Sequence, residues 1–111
     1  MPKYRMIMFS QAVEGREADY ESWYDDTHIP DMLQVPGFVA AQRFRIVKNV
    51  VGETNFPFCT IYELEADSAD AALGAMFGAM QGGKMQMSDS VDPDKAQGFI
   101  CEEVRERVTA S

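Results

Sequence analysis

Apolar positions along the chain switch between a period of two and a period near 3.6, and each switch marks an element. In YRMIMFS, residues 4–10, Tyr4, Met6 and Met8 point one way while Ile7 and Phe9 point the other. Apolar groups on both alternating sets predict a strand covered on both sides. Over residues 16–28 the period lengthens: Tyr20, Trp23, Tyr24 and Thr27 follow the i, i+3, i+4, i+7 spacing of one helix face. Glu14, Glu17 and Asp19 lie near its start, where carboxylates suit the helix dipole. Pro30 predicts a break, because the residue before a proline avoids the α region. A separate turn is expected to begin there, and Pro36-Gly37 to end helical structure.

FVAAQRFRIV, residues 38–47, reads as a second strand. Phe38, Ala40, Phe44 and Ile46 share one face with Gln42, and Arg43 and Arg45 share the other. NVVGETN is a turn region, and FPFCTIYELE, residues 56–65, a third strand whose Pro57 marks an edge or irregularity. Asp67 is expected to open a second helix, with Asp70 near the positive end of its dipole. Its buried stripe is Ala69, Ala72, Leu73, Met76, Phe77 and Met80. Gly74 and Gly78 weaken it by roughly 1 kcal/mol each relative to alanine and are read as packing glycines. Gly82-Gly83 stops it. KMQMSDSVDPDK is a polar loop whose Met85 and Met87 serve either packing or the cover of an apolar pocket. The last strand is expected over 98–108, where Ile100, Val104 and Val108 alternate with charged neighbours.

The order β-α-β-β-α-β predicts an α+β, ferredoxin-like protein: a four-stranded antiparallel sheet with two helices on one face. The double-faced strands add a consequence. Two helices cover one face only, and an apolar second face left wet exceeds what a monomer tolerates. Stacking two sheets from two subunits buries it, so a homodimer is expected.

Length and composition narrow the partners. The 111 residues suit one domain, 1–111, and 46% apolar residues are ordinary for a globular chain. Ten basic against 18 acidic side chains leave a net charge of −8. That balance repels phosphate backbones and anionic lipid, so neither nucleic acid nor a membrane is expected as a partner. No apolar run reaches the length of a membrane span, and the N-terminal segment alternates like a strand rather than a signal peptide. The two cysteines, Cys59 and Cys101, lie in strand-like runs without a CxxC or Cys/His cluster. Neither a metal site nor any other cofactor is therefore expected, and a reducing cytoplasm is the simplest compartment.

Candidate chemistry gathers at 23-WYDDTHIPDMLQVPG-37, which holds the only tryptophan and the only histidine. Tyr24 and Asp25 lie four and three residues before His28, so both can share its helix face. A carboxylate beside an imidazole fixes its tautomer and raises its pKa, as does a helix C-terminus. On this reading His28 is a general acid or base, Asp25 orients it, and Tyr24 or Tyr20 holds an oxygen where charge develops. Trp23, with Met76 and Phe77 from the second helix, would wall a small apolar substrate, and Arg43 is a candidate for a polar group on it. The alternative is structural: a histidine at a helix end caps orphan carbonyls, and Tyr20, Trp23 and Tyr24 are core.

EGREADYESWYDDTHIPDMLQVPGFVAAQRFRI resembles the signature of the EthD-like group in the dimeric α+β barrel superfamily. There a helix ends in W-Y-x-x-x-H-x-P, followed by P-G and a strand bearing basic residues. Trp23, Tyr24, His28, Pro30, Pro36, Gly37 and Arg43 occupy those positions. The likeness is strong over residues 4–47; beyond them only the order of elements matches. It implies a ferredoxin-like protomer that dimerises through its sheets, with the histidine at the mouth of a cleft between helices and sheet. The second helix carries no histidine, so haem chemistry is not expected. The resemblance favours proton transfer at His28 on an apolar, aromatic or cyclic carbonyl compound: isomerisation, cyclisation, dehydration or decarboxylation. Two alternatives accompany it: a cofactor-independent monooxygenase of an electron-rich phenol or enol, and a small-ligand-binding dimer without catalysis.

Overall fold

The computed structural model describes all 111 residues. Four antiparallel strands, β1 (Lys3–Ala12), β2 (Phe38–Arg45), β3 (Phe58–Glu65) and β4 (Val91–Glu102), lie in the order β2-β3-β1-β4. Three α-helices, α1 (Glu17–Trp23), α2 (Ile29–Met32) and α3 (Ala69–Gln81), complete the βαββαβ plan, with a π-helical turn over Tyr24–His28 joining α1 to α2. The fold is ferredoxin-like, as the strand and helix order predicts.

β1 lies at the centre of the sheet because it carries apolar groups on both faces. Tyr4 and Met6 are buried under the helices beside Tyr62 and Leu64 of β3. Phe38 of β2 joins them, and Met32, Val35, Ala72, Met76 and Met85 close this core from the helix side. The opposite face presents Ile7 and Phe9 of β1, Cys59 and Ile61 of β3, and Phe99 and Cys101 of β4, which lie across from one another in the ladders.

A separate turn begins at Pro30 as expected, with the proline in the first positions of α2, but the residue before it does not leave the α region. Helical backbone therefore runs on to Met32, with Ile29 in the α region at φ −61° and ψ −48°. The π turn makes this possible. The Ile29 N–H bonds to the Tyr24 carbonyl, five residues back, so the helix is widened where the proline ring and its missing donor enter. Gly37 then turns the chain into β2 at φ +91°. Its carbonyl accepts the Glu65 N–H at 2.8 Å, and a Cβ there would lie 2.6 Å from the Glu65 oxygen, so only glycine fits.

β2 also differs from its sequence pattern. A bulge between Phe38 and Ala40 sends Phe38 into the core and Ala40, Gln42 and Phe44 to the opposite face. Phe38 and Ala40 therefore do not share a side. Arg43 pairs with Thr60 and faces the helices.

α3 is capped by Ser68, not Asp67: the Ser68 hydroxyl accepts the Ala71 N–H at 3.0 Å. Ala72 and Met76 are buried, but Phe77 and Met80 are exposed. Gly74 and Gly78 are exposed with open space where a side chain would sit, so they do not serve close packing within the protomer. β4 begins and ends earlier than the pattern of its valines suggests. As an edge strand it tolerates Pro93. It stops at Glu102, opposite Tyr4, because β1 begins only at Lys3, and Val104 and Val108 run past the sheet, exposed.

Candidate functional site

The π turn decides what surrounds His28. In an α-helix residues four apart share a face; the wider turn brings the fifth onto it as well. Trp23 and Tyr24 accordingly both flank the imidazole. The Trp23 ring stacks on it at 4.5 Å and the Tyr24 ring meets it edge-on at 5.0 Å. The His28 Nδ1 is buried and has no hydrogen-bond partner.

This surrounding reverses the expected direction of its pKa. Burial holds the imidazole neutral and pushes its pKa down to about 4, against a weaker upward pull from Asp31. Asp25, the carboxylate expected to orient it, turns instead to Arg43, accepting from Nη1 at 3.0 Å. Glu21 accepts from Nη1 at 3.0 Å and Nη2 at 2.9 Å, so the guanidinium is held in a fork by one carboxylate and touched by a second. Its carbon also lies 4.7 Å from the Tyr24 ring centre and 4.8 Å from that of Phe58. Arg43 thus fastens α1 and the π turn to β2. Its charge is matched before any ligand arrives.

The hydroxyls form a second layer. Thr60 of β3 donates to the Tyr24 hydroxyl at 2.9 Å. Tyr20, one turn earlier, shares a proton with Ser10 at 2.6 Å. Tyr62, two residues beyond Thr60 on the same strand face, has a hydroxyl that is fully buried and unpartnered. A groove of about 870 Å³ opens at the other end of this ladder, lined in part by Gln11, Glu14, Tyr20, Glu21 and Phe58.

The loop after α3 lies against the same helix. The Trp23 Nε1 donates to the Gln86 carbonyl at 2.7 Å, and the Gln86 N–H bonds to the Asp31 carboxylate at 2.9 Å. The backbone N–H and carbonyl of Gln86 are thereby both held by side chains on either side of His28 in the chain. Met85 is buried in the core, whereas Met87 is exposed.

The structure therefore brings Trp23, Tyr24 and His28 together, with Tyr20 at the groove. Arg43 and Asp25 pair with each other, Met76 is a core residue, and Phe77 faces outward. Spacing did not reveal Tyr62, Thr60, Glu21 or Gln86. Tyr62 and Thr60 could have been suspected as polar groups on a strand face that otherwise packs in the core. No cluster of three or more His, Cys, Asp or Glu side chains is arranged to hold a metal ion. No helix is long and apolar enough to cross a membrane.

No family model and no curated protein sequence matches the chain. Solved structures do. An EthD-like protein from Ralstonia eutropha superposes with a TM-score of 0.61 at 19% identity, over 96% of each chain. The haem-degrader MhuD from Mycobacterium tuberculosis, with two haems bound in its active site, gives 0.62 at 18% identity, over 95% of this chain and 99% of its own. A dimeric ferredoxin-like protein from an uncultured marine organism gives 0.59 at 15% identity, over 96% and 100%. The chain shares the ferredoxin-like fold of these proteins.

Proposed function

We propose that the protein is a small-molecule enzyme that moves a proton on an apolar, aromatic or cyclic carbonyl compound, with His28 as the base. The observation that carries this reading is the buried His28 Nδ1 without a partner, walled by Trp23 and Tyr24. A cap would bond a carbonyl of its own helix; this nitrogen bonds nothing. With a pKa near 4 the ring is neutral at pH 7 and ready to accept a proton. A weak base of this kind suits a carbon or hydroxyl acid already activated by a carbonyl or an aromatic ring. Tyr24, which already accepts a hydrogen bond from Thr60, retains its own proton for a developing enolate. Asp25 contributes indirectly, by holding Arg43 and hence the π turn.

The same reading includes a second copy of the chain. Ile7, Phe9, Phe44, Ile61 and Phe99 form an apolar face on the open side of the sheet, with the Phe9 ring 6.2 Å from Phe99. A homodimer with the two faces stacked supplies the missing cover, and a structural neighbour is dimeric.

The test uses 2-tetralone in deuterated water, with exchange of its C1 protons followed by NMR. The protein accelerates exchange, and His28→Gln lowers that acceleration by roughly 10²-fold or more, as removal of one acid–base group does. Acceleration surviving in the variant within a few-fold refutes the role.

A further inference from the structure

Tyr62 is the largest side chain with no exposed surface, and its hydroxyl has no hydrogen-bond partner. Buried polar groups in folded proteins are nearly always paired, and phenylalanine would fill the same volume without that penalty. The Tyr24 hydroxyl lies close enough to push the Tyr62 pKa up but is not in bonding geometry, so it does not relieve that penalty. Thr60 spends its proton on Tyr24. Burial, reinforced by the adjacent Tyr24, pushes the Tyr62 pKa up, so the phenol stays a proton donor.

The charges nearby say what that donor can meet. Arg43 is the cation on this face of the sheet closest to Tyr24, and Glu21 and Asp25 both balance it. His28 is neutral. The interior therefore offers hydroxyl donors and a neutral imidazole, with no uncompensated positive charge. A carboxylate or phosphate brought here would lose its water and gain no counter-charge, whereas a ketone or phenol oxygen needs only a hydrogen bond.

We propose that Tyr62 is a further ligand-contacting residue of the His28 site: its hydroxyl holds the oxygen of an uncharged ring compound, a ketone or a phenol, and the site rejects the corresponding carboxylate. This rests on the reading of His28 as the functional group. Since the hydroxyl has no exposed surface, a side chain must give way to the ligand. Met85 is suited to that. It packs in the same core as Tyr62, and with the backbone beside it held at Gln86 only its side chain need move. Its unbranched thioether can be redistributed more readily than a branched side chain.

Calorimetric titration of the full chain at pH 7 with 2-naphthol and with 2-naphthoate tests this, on the unmodified protein and on Tyr62→Phe. The protein binds 2-naphthol at least tenfold more tightly than 2-naphthoate. Tyr62→Phe weakens 2-naphthol about tenfold, the loss of one hydrogen bond, while its melting temperature stays equal or rises because an unpaired polar group has gone. Unchanged 2-naphthol affinity in the variant overturns the proposal. So does equal or tighter binding of 2-naphthoate, no binding of 2-naphthol up to its solubility limit, or a melting temperature several degrees lower in Tyr62→Phe. The titration reads binding, so it is separate from the His28 test: failure there appears as 2-tetralone exchange that survives His28→Gln.

Discussion

The helical segment 17–32 and α3 lie on the same face of the sheet, yet they are built differently. The first carries Tyr20, Trp23, Tyr24 and His28, widens into a π turn, and is tied down by Arg43, Thr60 and Ser10. α3 is a regular helix opened by a Ser68 cap and contributes Ala72 and Met76 to the core, with no side-chain hydrogen bond to the sheet. The difference separates two tasks that a covering layer can perform. α3 excludes water from the sheet, which small and flexible apolar side chains accomplish. The first segment positions a half-buried imidazole against that layer, which requires directional bonds and a helix geometry that regular α spacing does not supply.

If that division is correct, damage to the two segments has opposite signs. Arg43 is only 13% exposed at its side chain and pairs with Glu21 and Asp25. Arg43→Met removes the charge and leaves two carboxylates facing one another four residues apart. We expect a loss of about 2 kcal/mol of stability by urea unfolding, below the full cost of breaking a wholly buried pair because both carboxylates are partly exposed. The near-ultraviolet circular dichroism of Trp23 should change with it, since the π turn loses its anchor. On α3, Gly74→Ala and Gly78→Ala should each stabilise by about 0.5–1 kcal/mol, because the new methyl meets nothing and only helix propensity changes. Destabilisation by either glycine substitution would show that α3 is a close-packed surface after all, covered in the assembled protein.

Much of this division is legible in the sequence. Apolar groups on both faces mark β1 as covered on both sides, and the four-residue spacing puts Tyr24 beside His28. What escapes the pattern has physical causes. The helix continues through Pro30 because a π turn absorbs the proline, and π geometry has no hydrophobic period of its own to detect. One extra residue at Val39 reverses which side of β2 its neighbours take. The Glu21–Arg43 pair joins residues 22 positions apart, and Asp25, adjacent to His28 on a helical wheel, is captured by that distant guanidinium. The direction of the His28 pKa depends on how much water the imidazole loses. Spacing reports neighbours and is silent on solvation. Tyr62 reads as one more strand aromatic until burial shows that its hydroxyl is alone.

The central claim is that His28 sits half-buried as a neutral base, its Nδ1 cut off from water. In the unfolded chain its imidazole binds a proton near pH 6.5; in the folded protein it does so near 4. Stability from this group is therefore complete above about 6.5 and falls as pH drops toward 4, by roughly 3 kcal/mol in all. Because the chain has one histidine, the most direct measurement is an NMR pH titration of its ring nitrogens and Cε1 proton in the intact protein. The account predicts an imidazole that stays neutral down to pH 5, with a midpoint near 4. A midpoint at 6.5 or above would place the ring in water or beside a charge, and would contradict it.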